Sequence, residues 1–227
     1  MTNNDGKVSH YPSWSIKETL LLGIVYLLLC ISLRFALFQL LPDMPGLVKP
    51  SSDFLRMLSS TVLLIVCLTW LKFIKTDPIR SVGMVKCKLR NYLFALACAI
   101  GLYFGSMAVF KSFGINYQPG LLQERYTVER GLNYFLLAPF AEEIYFRGIF
   151  FQACKARFGL IIGVVLSGLL FGLLHFDPRC LAFWYLSIGS ALFYGVIVAF
   201  LFHYSKSLLP PILCHSIYNL LSEYVGV

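Results

Sequence analysis

Charge is what this chain has least of. Only 13% of its 227 residues are Asp, Glu, Lys or Arg, against 58% hydrophobic and 16% aromatic, and its mean hydropathy is +0.74. Soluble globular domains carry about a quarter charged residues, so the composition excludes an ordinary water-soluble fold and implies an integral membrane protein. Disulfide and metal-ligand patterns are lacking too. The seven cysteines, Cys30, Cys67, Cys87, Cys98, Cys154, Cys180 and Cys214, form no CxxC pair, and most lie in apolar runs where cysteine acts as a small hydrophobe. There is no HExxH, tandem repeat, low-complexity tract or separate soluble segment, so a single domain over 1–227 is expected. Nor is a signal peptide expected, because a polar stretch of roughly 17 residues precedes the first apolar run and no small-residue cleavage site follows. Leu29 directly before Cys30 is wrong for lipoprotein processing. The net charge of +8 does not indicate a nucleic-acid partner, since the basic residues are spread between apolar segments and form no single stripe.

What is present is a series of seven apolar segments: Thr19 to Leu41, Met57 to Ile74, Tyr92 to Phe110, Leu132 to Phe151, Leu160 to Phe176, Leu181 to His203, and Leu208 to Tyr224. Each has roughly 17 to 23 residues, enough for a helix to cross a hydrocarbon core of about 30 Å. Lipid offers backbone groups no partner, so helices are the expected form. The expected fold is an all-α, polytopic transmembrane bundle of about seven spans, or eight if an interfacial helix forms between Lys111 and Gly131. Between spans two and three, Lys72, Lys75, Arg80, Lys86, Lys88 and Arg90 face Asp77 alone. The positive-inside rule places that connection in the cytoplasm, and threading the chain from it puts Lys7, Lys17, Lys155, Arg157 and Lys206 on the same side, with a cytoplasmic N-terminus. In span five, Gly159, Gly163 and Ser167 recur every four residues, with Gly168 and Gly172 on an adjacent stripe, a pattern that lets helices approach closely. Arg34 is the only formal charge deep in the first three spans and reads as a snorkelling or interhelical side chain.

Glu142 and Glu143 are adjacent in span four, within Ala138-Pro139-Phe140-Ala141-Glu142-Glu143-Ile144-Tyr145-Phe146-Arg147-Gly148. A charge in mid-membrane costs a few kcal/mol or more, so such residues are rare there and mark functional cavities. Glu143 precedes Arg147 by four residues, the spacing of an ion pair on one helical face. Glu142 projects about 100° away and is left available for other work. Pro139 lacks a backbone donor and is expected to open the helix near this point. Span five ends with Phe171 and His175; span seven holds His215 and Asn219, again four apart and on one face. Taken alone, His175 is as readily an interfacial residue, and His215 with Asn219 as readily a helix-to-helix hydrogen-bonding pair. His10 and His203 read as solvent or interfacial residues.

Together these residues resemble the CAAX-protease and bacteriocin-processing family of intramembrane glutamic endopeptidases. Its motifs EExxxR, FxxxH and HxxxN are matched by Glu142, Glu143 and Arg147, by Phe171 and His175, and by His215 and Asn219. The resemblance covers roughly Leu132 to Leu221. It implies hydrolysis of a peptide bond in a membrane-associated protein or peptide, in the lipid bilayer, with Glu142 and His175 activating water and His215 and Asn219 stabilising the oxyanion. It casts Glu143 and Arg147 as a supporting pair. It favours a metal-free mechanism with no cofactor over zinc held by glutamate and histidine. A bacterial inner membrane is the expected location, with short peptides, bacteriocin precursors or sorting tails as substrates. The charge-based topology places His175 toward the extracytoplasmic end of span five, whereas eukaryotic members of the family work from the cytosolic side. Three other readings of the same residues remain: a proton-coupled transporter, a membrane peptide-binding or immunity protein that does not cut, and a thiol mechanism through Cys214.

Overall fold

Helix is the only regular structure in the computed structural model, which describes residues 14–40, 51–74, 77–114, 128–176 and 184–224. Lys7, His10, Lys75, Asp177, Cys180 and most of the stretch considered for an interfacial helix lie outside the described residues. The helices are α1 (Ile16–Leu40), α2 (Ser52–Ile74), α3 (Pro78–Ser81), α4 (Leu89–Ser112), α5 (128–158), α6 (Leu160–Leu174), α7 (Trp184–Ser205) and α8 (Leu209–Tyr224). Every expected span thus coincides with a helix, with ends shifted by a few residues. Four of them, α1, α2, α4 and α7, are long and apolar enough to cross a membrane, and α6 is a shorter apolar helix. The short α3 in the basic connection was not anticipated. Its cause is local: the Asp77 carboxylate accepts the Arg80 backbone N–H at 3.1 Å, and Pro78 sits at the first helical position, where no donor is required.

The bundle is apolar outside, and the buried polar and charged groups are gathered inside a largely apolar core. Leu21, Leu28, Ile31 and Phe35 of α1 and Ile161, Ile162 and Val165 of α6 are exposed. Glu143, Arg147 and Ser167 are fully buried. That inversion of a water-soluble fold is what a hydrocarbon solvent demands, because only the interior can satisfy polar groups.

Helix α5 is one continuous rod with two π-helical stretches, Asn133–Leu137 and Ile144–Phe151. In the first, the Ala138 N–H reaches back to the Asn133 carbonyl, so it is unavailable to Tyr134 O, and Pro139 has no hydrogen to offer Tyr134 or Phe135. Side chains of α8 take the freed acceptors. Asn219 Nδ2 donates to Tyr134 O at 2.9 Å, and Ser216 Oγ donates to Phe135 O at 2.9 Å. The second stretch is satisfied likewise, by Ser167 Oγ on Phe146 O at 3.2 Å and Trp14 Nε1 on Ile149 O at 3.0 Å.

Both small-residue stripes of α6 are used. Gly163 lies against the backbone of Lys155, where a β-carbon would stand 2.8 Å from Lys155 N. Gly168 and Gly172 admit α7: a β-carbon on Gly168 would meet Val196 Cγ2 at 2.7 Å and Leu192 O at 3.0 Å. Gly168→Leu is therefore expected to lower stability by about 1–3 kcal/mol or more through overpacking. Gly101→Ala, with nothing within 4 Å of its β-carbon, should be neutral or stabilising by up to about 1 kcal/mol. Thermal unfolding of both variants in the same detergent checks the contrast.

Candidate functional site

The EExxxR arginine is held from three helices, although its Nε has no hydrogen-bond partner among the described residues. Arg147 Nη1 donates to Glu143 Oε1 at 2.9 Å, its Nη2 donates to Gly195 O on α7 at 3.3 Å, and its guanidinium lies 4.6 Å from the Phe171 ring centroid on α6. Arg147 and Glu143 are both 0% exposed. In a medium where a lone charge would be prohibitive, the pair, the carbonyl dipole and the aromatic face make the burial tolerable.

Glu143 Oε1 also meets His215 Nδ1 on α8 at 2.9 Å. A carboxylate accepts, so the Nδ1 proton lies between them and Nε2 is turned outward from the pair. His175, at the end of α6, is arranged in the same way. Its Nδ1 is 2.7 Å from Phe171 O, which can only accept, and its ring stacks on Phe171 at 4.2 Å. The two outward nitrogens converge on Glu142, whose Oε2 is 3.9 Å from His175 Nε2 and 4.0 Å from His215 Nε2. Those separations are too long for direct hydrogen bonds, and Glu142 Oε2 has no hydrogen-bond partner among the described residues. The neighbouring carboxylates thus differ in environment: Glu143 binds a guanidinium and an imidazole, whereas Glu142 faces two imidazole edges at about 4 Å.

Glu142, Glu143, Arg147, His175 and His215, expected from the sequence to act together, are brought together. Asn219, one helical turn beyond His215, has its amide on Tyr134 O. That bond fixes which end of the amide is nitrogen and leaves a second N–H. Both ring nitrogens of His215 face carboxylates, although Cys214 is adjacent in sequence and its thiol is buried. Arg34 is exposed, with Nη2 3.4 Å from Ser59 Oγ, and takes no part in the site. Sequence reasoning named no site residue on α7. This helix supplies the Gly195 carbonyl and Tyr194, whose buried ring stands 5.3 Å from that of His215 and 5.4 Å from that of Phe171, with no hydrogen-bond partner for its hydroxyl among the described residues. A backbone acceptor has no residue signature, and one tyrosine among 13 carries little signal.

Two adjacent carboxylates, one of them bonded to an arginine, thus lie beside two histidines inside a bundle of apolar helices. Residues 126–221 match the family model described as type II CAAX prenyl endopeptidase, Rce1-like. No curated protein and no solved structure matches the chain. The matched segment contains all three motifs, and over these residues the chain is similar to CAAX-protease-type endopeptidases.

Removing one partner from the buried pair leaves the other uncompensated. Arg147→Ala is expected to cost about 3–5 kcal/mol, whereas Arg34→Ala should stay within about 0.5 kcal/mol; denaturation in detergent checks both. Tyr194→Phe, which removes an unpartnered buried hydroxyl and keeps the ring, should raise stability by about 1 kcal/mol.

Proposed function

We propose that the protein is a glutamate-dependent intramembrane endopeptidase in which Glu142 activates water for attack on a peptide bond of a membrane-associated substrate. The observation that carries this reading is the placement of Glu142 Oε2 at 3.9 and 4.0 Å from the Nε2 atoms of His175 and His215, while Glu143 is committed to Arg147. Separations of that size suit a water held by three groups at once. With Nδ1 of His175 bonded to Phe171 O, its neutral Nε2 accepts one hydrogen of the water, and Glu142 takes the proton as the oxygen attacks the carbonyl carbon. The tetrahedral oxyanion needs donors. The proposed donors are His215, through Nε2 while Nδ1 is held on Glu143, and Asn219, through the N–H that Tyr134 O does not take. Glu142 then returns the proton to the leaving amine, so the water is consumed and an acid and an amine are released. Glu143 and Arg147 position His215 and do not touch substrate.

No metal or cofactor enters this scheme. The expected substrate is a membrane-embedded or membrane-anchored peptide, and the expected setting is a bacterial inner membrane with the N-terminus in the cytoplasm.

The decisive comparison is between membranes of cells carrying the native protein and those carrying Glu142→Gln, with peptides and membrane proteins profiled by mass spectrometry. Loss of general-base assistance should slow cleavage by about 10²–10⁴-fold, with the variant's thermal stability unchanged, and the uncut substrate should accumulate. Cleavage at the native rate in Glu142→Gln overturns the assignment. Activity of the purified protein that disappears with chelator and returns with zinc overturns the metal-free scheme.

A further inference from the structure

At the opposite end of α5 from Tyr134 lies a second cluster that the chemistry above does not use. Lys155 Nζ stands 3.2 Å from His203 Nδ1, and Lys206 Nζ stands 3.3 Å from the same nitrogen. One imidazole nitrogen has one lone pair and can accept from one ammonium. Among the described residues, the other is held beside it with no hydrogen bond to relieve the repulsion, and no carboxylate pairs with Lys155, His203 or Lys206. Lys206 is also the only non-glycine described residue with positive φ, at 56°, so a lysine occupies the left-handed position after α7 that glycine usually takes. A lysine there also offsets the helix dipole. That effect accounts for one ammonium and not for two converging on one ring. Burial, followed by the charge of Lys206, moves the Lys155 ammonium below its ordinary pKa, as expected of cations gathered without an anion.

The surroundings indicate the partner. Loop 82–88 is fastened to the turn after α7 by Leu208 N on Gly83 O at 2.8 Å and by Ser207 Oγ on Val85 O. This brings the connection that carries Lys86 and Lys88 against the same end of the bundle. The only acid in the described part of that connection, Asp77, is close to Arg80. Tyr204, 76% exposed, adjoins His203, and Phe158, 46% exposed, adjoins Arg157, so aromatic rings project outward at the level of the cations. Exposed aromatics beside basic side chains at the ends of membrane helices are the signature of the headgroup layer. A soluble anion would have no use for the rings; a lipid brings both a phosphate and an apolar tail.

We propose that Lys155, His203 and Lys206 form a binding site for the phosphate headgroup of an anionic membrane lipid. The phosphate oxygens accept from the two ammoniums, and the headgroup clasps the end of α5 to the turn between α7 and α8. The site is distinct from the one around Glu142, and its occupancy does not depend on the proposed peptidase reaction.

The test uses the full-length protein equilibrated with mixed phosphatidylglycerol and phosphatidylcholine vesicles, with retained lipid counted by native mass spectrometry. Each lysine near an anionic lipid contributes about 1 kcal/mol, so K155Q/K206Q should retain phosphatidylglycerol about thirtyfold less than the native protein. K155R/K206R should retain it, and K111Q, an exposed lysine at the opposite end of α4 from loop 82–88, should change little. Equal retention by K155Q/K206Q overturns the proposal, as does loss in K155R/K206R. Displacement of the bound lipid by millimolar inorganic phosphate, with no preference between the two lipids, also overturns it in favour of a site for free phosphate.

Discussion

The buried Glu143–Arg147 pair is the contact on which the rest of the arrangement depends. Through Arg147 it reaches a carbonyl of α7 and an aromatic ring of α6, and through Glu143 it reaches the imidazole of α8. Four helices therefore meet at one charge pair belonging to a single turn of α5. Apolar residues of similar volume often pack as stably as a buried ion pair, so stability alone does not account for it. What an apolar substitute could not supply is direction: Glu143 sets the tautomer and the facing edge of His215, and thereby the distance at which that ring stands from Glu142.

The backbone of α5 contributes as much as its side chains. In lipid, a carbonyl released from the helical ladder must find another donor. Asn219, Ser216, Ser167 and Trp14 supply those donors, so each irregularity of α5 is also a point where a neighbouring helix or the segment before α1 is attached. The helix that carries the glutamate pair therefore depends on its neighbours to hold its conformation.

Hydropathy made the positions of seven helices legible, four of them of spanning length and apolarity, because a long run of apolar residues has few other uses. The three motifs were legible because charge and imidazole are so scarce in this composition that their spacing stands out. Three features were not. The segment Pro78–Ser81 is too short for periodicity to show and owes its form to one aspartate and one proline. The contribution of α7 runs through the Gly195 carbonyl and through Tyr194, neither of which differs in type from many other residues of the chain. The shift to π geometry was hinted at by Pro139, but its extent is set by which donors α8, α6 and Trp14 present, and that is a tertiary matter. Asn219 shows the limit of reading one role per residue, since the side chain expected at the reaction also bonds the helix beside it.

The stretch Asn133–Leu137 has a further consequence, for inheritance. A π turn holds one residue more than the α-helical turn it replaces, and each residue advances a helix by about 100°. A relative that lost a single residue there would keep every motif letter, the same spans and the same hydropathy profile, yet its glutamate pair would be rotated by about that angle relative to the start of the helix. Among descendants of such a gene, motif-bearing chains without the reaction are to be looked for where the count between 133 and 137 has changed.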